Sequence, residues 1–306
     1  PTGLALDQNQ TFTSLARAAL ECGAGADPTW GHGVLISEIW NCYAIADFER
    51  SELALAQLDA IESDHPDLPA LKALGAGVVA CSKGNFDLGI EYFETAHEAA
   101  AGADVYTQLR SALVLTAYSN ANGHPVRQAA AVGLELARQL RVPTNLAFAL
   151  SVNSMICETS DLDRALALAD EALAADLPPG SISAISHTGR GRVLFRQGRW
   201  SEALSSIATG VGEFARSGQS AEGSHGVAIG AACLFQLGNT ESGADLFRRS
   251  AAATDMQMIK LYHDTEQMAA TLIGEPFPPD RSQQPIPFDE LARRAVTAFA
   301  EAATPA

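Results

Sequence analysis

Seven histidines (His32, His65, His97, His124, His187, His225 and His263) and five cysteines (Cys22, Cys42, Cys81, Cys157 and Cys233) carry the side chains that most often hold metals or act as nucleophiles. A zinc site needs close spacing such as C-x-x-C or H-x-x-x-H, and neither occurs. The cysteines are odd in number, widely separated and set among apolar residues. They read as small buried hydrophobes rather than a disulfide framework. Gly75-Ala76-Gly77-Val78-Val79-Ala80 matches G-x-G-x-x-A in form, but no strand precedes it, and a dinucleotide turn requires one. Gly223-Ser224-His225-Gly226 lacks the strand, elbow and full spacing of a serine nucleophile. No G-x-x-x-x-G-K-(S/T) phosphate loop is present. Acidic residues at helical spacing, such as Glu91, Glu94 and Glu98, read as a solvated face. The expectation is a non-catalytic chain with no catalytic residue, no cofactor and no metal.

Binding chemistry is better represented. Arg190, Arg192, Arg196 and Arg199 fall within ten residues, and residues 182–201 contain no acid. Arg192 and Arg196 stand four apart and so share one face of a helix. In a chain of formal charge −16, such a cluster would attract a carboxylate or phosphate. The same acidity repels nucleic-acid backbones and anionic lipid, which argues against both as partners. Trp30, Trp40 and Tyr43 form a second candidate, since exposed rings stack on sugars or clamp peptide side chains. Phe195 lies beside the arginines and joins that group.

What positions these residues is helical. The 306 residues are 47% hydrophobic and only 7% aromatic, rich in Ala and Leu, a composition that favours close-packed helices over a β-sandwich. Short turns recur at Ala46-Asp47-Phe48, Gly84-Asn85-Phe86, Gly123-His124-Pro125, Ser160-Asp161-Leu162, Gly198-Arg199-Trp200 and Gly238-Asn239-Thr240. Successive turns lie 37 to 40 residues apart, and each separates two apolar stretches of helical period. A register is superimposed on them. Small residues stand five positions after the turn (Gly89, Ala165, Ala203, Gly243) and seven before it (Gly77, Gly191, Ala231). Large apolar residues stand nine after it (Phe93, Ile207, Phe247). Small positions let two helices approach closely, and the large ones fill the space against the next pair.

The stretches GNFDLGIEYFETA (84–96) and GRWSEALSSIATG (198–210) resemble the tetratricopeptide repeat, whose second helix opens after a G-(D/N)-(Y/F) turn. These units exceed the usual length of about 34 residues. The segment between Leu136 and Ala175 is similar to the long-unit helical region of MalT-like and LuxR-type regulators and related bacterial signal-transduction ATPases. That resemblance implies a sensor or partner-binding arm whose nucleotide-binding core lies in another part of a parent protein.

Together these readings give an all-α fold, a right-handed α-solenoid of about six tetratricopeptide-like helix pairs with a C-terminal capping helix. Residues 1–273 would form the repeat domain, and 274–306 a Pro-rich loop and a last helix packed on the final repeat. First helices line the concave groove of such a solenoid. Counting three, six and ten residues back from each turn places Tyr43, Trp40, Asn120, Ser154, Phe195 and Arg192 in that groove, with Arg190 and Arg196 beside it. The expected function is a ligand- or protein-binding sensor domain, cytoplasmic, of a signalling ATPase or transcription regulator. Its partner would be a protein, a peptide or a small molecule, with anions and sugars the ligands these side chains suit. The alternative is a free-standing scaffold or peptide-binding module. A homodimer through either end of the solenoid is open to both. No segment has the roughly 18–20 apolar residues of a membrane span.

Overall fold

The computed structural model describes residues 18, 22, 31–44, 47–124, 126–175, 177–253, 260–276 and 286–303. Trp30, Ala46 and Pro125 of the expectations above lie outside them, as does most of the Pro-rich loop. The described residues form fourteen α-helices and no strand, so the fold is all-α. The chain packs as two compact units, residues 1–139 and 140–306.

Unit 1 holds α1 (Gly31–Ala44), α2 (Phe48–Asp59), α3 (Leu68–Ser82), α4 (Phe86–Ala99), α5 (Val105–Ala121) and α6 (Arg127–Leu140), whose last residue crosses the boundary. Within it α1 packs on α2 and α3, α2 on α3, α3 on α4 and α5, and α4 on α5. Unit 2 holds α7 (Pro143–Cys157), α8 (Leu162–Ala174), α9 (Ser181–Arg196), α10 (Trp200–Ser217), α11 (Ser220–Gln236), α12 (Thr240–Ala253), α13 (Lys260–Ile273) and α14 (Phe288–Ala303). There α9 packs on α7, α8, α10 and α11, and α11 packs on α10, α12 and α13. The alternate helices α7, α9, α11 and α13 therefore follow one another as a row of neighbours.

The turns explain why these sequences stop one helix and start the next. Gly84, Gly123, Gly198 and Gly238 all adopt left-handed φ, between 74° and 94°. After each, the next backbone N–H donates to the carbonyl five residues back: Asn85 to Ala80, His124 to Ser119, Arg199 to Leu194 and Asn239 to Leu234. A residue with a Cβ resists that φ, so glycine closes the helix there. The following side chain then caps the next helix where it can. Asp47 accepts from Arg50 N–H, Asn85 from Leu88 N–H and Asp161 from Arg164 N–H.

The small residues sit where close approach needs them. A Cβ on Gly77 would meet the Phe93 ring at 2.3 Å, and one on Gly191 would meet Ile207 at 2.4 Å. Each large residue thus lies over a glycine of its own pair. Phe93 also reaches the next helix of the row, with its ring centroid 4.9 Å from that of Tyr118. Serines stitch the same contacts by polar bonds: Ser154 donates to Ala165 O at 2.7 Å, and Ser206 to His187 O at 2.9 Å.

The last helix packs on the final pair, α11 and α12, as expected, and α14 extends beyond it onto α10. Two of its aromatics enter glycine notches on α11. A Cβ on Gly223 would overlap the Phe288 ring at 2.0 Å, and one on Gly230 the Phe299 ring at 2.3 Å. Gly223 and Gly230 are two turns apart on one helix face, so both notches open to the same neighbour.

Candidate functional site

The arginine cluster lies on and just beyond α9, and every member has an acid within reach. Arg192 is 4% exposed and grips the fully buried side chain of Glu158, the residue that caps the end of α7. Its Nε donates to both carboxylate oxygens, at 3.0 and 2.9 Å, and its Nη2 to Oε1 at 2.6 Å. Arg196 stands behind it, with Nε 3.7 Å from Glu158 Oε2 and Nη1 donating to the Glu158 carbonyl at 3.4 Å. Arg190 pairs with Asp170 of α8 at 2.6 Å, and Arg199 with Glu202 at 2.6 Å. Segment 182–201 is acid-free in sequence, yet the preceding helix pair supplies two of its counter-ions. Each guanidinium expected to bind an anion there thus has a carboxylate of this chain within 4 Å, although Arg196 Nε makes no hydrogen bond. Two guanidinium groups converging on one buried carboxylate repay its desolvation through geometry and hydrogen bonds.

The groove register needs a matching correction. Phe195 is 1% exposed and packs on Trp200, with ring centroids 5.6 Å apart. Ser154, Leu150, Leu113 and Ile36 are buried too. The count of three, six and ten residues before the turn is mixed: Phe195, Ser154 and Leu150 are packed inward, whereas Arg192 and Thr188 line a cleft of unit 2 beside Ser151, Met155, Ile185 and Gly189. In unit 1, Trp40 and Tyr43 are half-buried, packed on the unit 1 core and arranged edge to face at 6.3 Å. The indole Nε1 of Trp40 is buried without a hydrogen-bond partner. Asn120 is half-buried near the end of α5. Unit 1 also has a buried acid, Glu38, whose Oε1 lies 2.5 Å from Arg50 Nε.

Ser151, Met155, Ile185, Thr188, Gly189, Arg192, Phe214, Glu222 and His225 line one cleft in unit 2. Its own space is about 30 Å³, room for about one water molecule, and reaches about 350 Å³ only with the open solvent at its mouth counted. Three successive alternate helices, α7, α9 and α11, supply all the walls except Phe214, which comes from α10. The serines at its edge bind one another across helices, Ser151 Oγ to Ser186 Oγ at 3.0 Å. Thr188 turns its hydroxyl onto Gly210 of α10, where a Cβ would meet Oγ1 at 2.3 Å.

The acid–base groups around the cleft differ in character. His225 is 1% exposed, and its Nδ1 lies 3.3 Å from Glu266 Oε1 on α13. Burial pushes its pKa below the usual histidine value, with Glu266 pulling the other way. His187 is lowered as well, first by burial, with Glu213 opposing and Arg190 reinforcing the shift. Glu222 lines the cleft half-buried. The protein crowded around the cleft still pushes its carboxyl above the usual range, and only its own backbone amide opposes the shift. Among the described residues no cation pairs with it. A wider and shallower hollow, lined by Glu158, Asp161, Asp163, Gln197 and Arg199 with their neighbours, lies on the α7–α8 turn.

The motifs that mimic catalytic signatures are structural here. Gly75 and Gly77 lie inside α3, where a Cβ would meet Ile39 and Phe93. Ser224 and His225 are buried in the middle of α11. Burial pushes the thiols of Cys42, Cys81 and Cys233 up to about 12, so they remain protonated and poor nucleophiles. Among the described residues no three His, Cys, Asp or Glu side chains gather as a metal site would require.

Sequence reasoning missed Glu158, Glu222, Met155, Ile185 and Phe214. A signal existed for Glu158. It stands 34 residues before Arg192 and so occupies a neighbouring position one repeat earlier.

No family model matches the chain, and no curated protein matches it. Among the described residues no helix is long and apolar enough to cross a membrane.

Proposed function

We propose that the chain is a recognition region rather than a catalyst: a right-handed solenoid of about six tetratricopeptide-like helix pairs that binds a ligand or protein on the open side of its first helices. In this reading it is the cytoplasmic sensor or regulatory arm of a multidomain bacterial signalling ATPase or transcription regulator. The observation that supports it best is the unit 2 cleft. Its walls come from three successive first helices, so a guest there touches several repeats at once and can bias how they stack. Around it Arg192, Arg190 and His225 are engaged in ion pairs and packing, and among the described residues no nucleophile, base and orienting group converge.

The complete coding frame tests the assignment to a regulator. A nucleotide-binding core encoded in the same frame is expected. A complete frame without one removes the regulator and leaves the free-standing scaffold.

A further inference from the structure

We infer that Asp67 and Asp104 in unit 1 share one proton across the joint between α3 and α5, and that the pair is a latch which closes as the medium turns acid. The inference is independent of the recognition role proposed above.

Asp67 and Asp104 stand 37 residues apart, one repeat length, and each immediately precedes its helix. Asp104 caps α5 in the ordinary way. Its Oδ1 accepts from the N–H groups of Tyr106 at 2.6 Å and Thr107 at 3.1 Å, and its Oδ2 from the Thr107 hydroxyl at 3.2 Å. Asp67 makes no such bond to α3. Its side chain crosses to the next repeat, where Oδ1 accepts the Asp104 N–H at 2.8 Å. It is 4% exposed, at the start of α3, where Ala70 packs on Ala100 and Ala103.

An ionised Asp67 in that place would be dry and set against a second carboxylate. A carboxylic acid there can donate its O–H to Asp104 while its other oxygen keeps the N–H. The donors already on Asp104 make it the charged partner. Both carboxyls are displaced accordingly. Burial raises Asp67 most, its bond to the Asp104 carboxyl raises it further, and the Asp104 N–H opposes. Burial would raise Asp104 as well, but the bonds from Asp67, Thr107 and Tyr106 outweigh it and hold that carboxyl below the usual range.

The neighbouring elements bring few other charges. His65, in the loop before α3, accepts the Asp67 N–H through Nδ1 at 3.3 Å, and its positive form favours an ionised Asp67. It stacks on His32 of α1, with ring centroids 4.6 Å apart. Arg110 of α5 faces Asp104. Lys72 of α3 is turned to the carbonyls of Asp59 and Ile61 after α2. α4 and the turn that follows it meet the joint through Ala99, Ala100 and Ala103.

An unfolded aspartate titrates at about pH 3.9. Asp67 titrates higher in the folded chain, so its contribution to stability is full below about pH 4 and is lost as pH rises through the folded value. Asp104 titrates lower, contributes above about pH 4 and loses that contribution only in stronger acid. The joint is therefore firmest near pH 4 and slackens toward neutrality.

The test titrates the full chain, carrying carbon-13 in its aspartate carboxyls, by NMR, with both signals assigned through their backbone correlations. Asp67 should hold its proton at least about fivefold more tightly than a free aspartate. In Asp104→Asn, which still caps α5, that affinity should fall at least about twofold, because the charged partner is gone. Asp67→Asn keeps an acceptor for the Asp104 N–H and supplies a permanent donor, so it imitates the closed latch. Its Tm should exceed that of wild type by a margin that widens from about pH 4 to about pH 8. Circular-dichroism melts read that margin, and His32 and His65 are common to both proteins. An ordinary Asp67 titration, one unmoved by Asp104→Asn, or a margin that does not change with pH overturns the inference. The two titrations use proteins that keep Asp67, so they decide the matter even if Asp67→Asn fails to fold.

Discussion

Replacing Arg192 with methionine tests whether this guanidinium is structural or a ligand hand. Met keeps much of the length and apolar stem of the side chain but cannot answer the charge of Glu158. Both partners are almost fully withdrawn from water, at 4% and 0% exposure, so solvent cannot substitute. Breaking such a pair by removing one member costs about 3–5 kcal/mol. Arg196 already stands 3.7 Å from the orphaned carboxylate and can close part of the gap, which places the expectation near the lower figure, about 3 kcal/mol. For a unit of this size that corresponds to a fall in Tm of roughly 6–12 °C. Urea unfolding followed by circular dichroism measures it, on the transition that carries unit 2. The double variant Glu158→Leu with Arg192→Met removes both charges and should recover most of the loss, because the penalty is the stranded charge and not the missing contact. A single variant that loses less than about 1 kcal/mol, or a double variant worse than the sum of its parts, would refute the reasoning.

Other consequences follow from the same contacts. Phe299→Ala should destabilise unit 2 by about 3–5 kcal/mol, since the fully buried ring fills the notch at Gly230; calorimetric melting checks it, and a loss under about 1 kcal/mol would mean α14 is not docked there. Glu202→Gln should change stability by no more than about 1 kcal/mol, because its ion pair with Arg199 is exposed at both ends. For His225 the folded pKa is depressed, so the unfolded chain takes up protons that the folded chain refuses. Stability is therefore full above about pH 6.5 and declines as pH falls from there. Glu222 acts in the opposite sense, its raised pKa favouring the folded state as pH falls. Melting His225→Gln alongside wild type across this window isolates the histidine: the variant should show a shallower decline, and an identical decline would place the titration elsewhere.

How far the sequence could be read depended on whether a feature is local. The turns at Gly84, Gly198 and Gly238 were legible because a left-handed glycine, joined at Gly84 by the capping side chain of Asn85, acts within a few residues. The pairing of Gly77 with Phe93 and of Gly191 with Ile207 was legible because each spans one turn at fixed distance. The ion pairs were not. Arg192 meets its acid 34 residues away, and the acid-free stretch around it gave the opposite impression. The groove register was legible only in part: Arg192 and Thr188 line the cleft, whereas Phe195 and Ser154 are packed inward. Periodicity identifies the apolar stripe, but where every face of a first helix is apolar, as in α11, it does not say which side stays open. The placement of α14 on α10, α11 and α12 depends on a notch at Gly230, 69 residues before Phe299, and nothing local to either residue announces it. Glu222 was passed over because an acid in the first turn of a helix is ordinarily a dipole partner in water.

The account's central claim is that the chain binds without transforming what it binds. The most direct measurement incubates the purified chain with the metabolite pool of its source and follows both retained and free compounds by mass spectrometry. A compound retained by the wild type and released with its mass unchanged is the expected result. A compound that disappears from the pool while a product accumulates would contradict it.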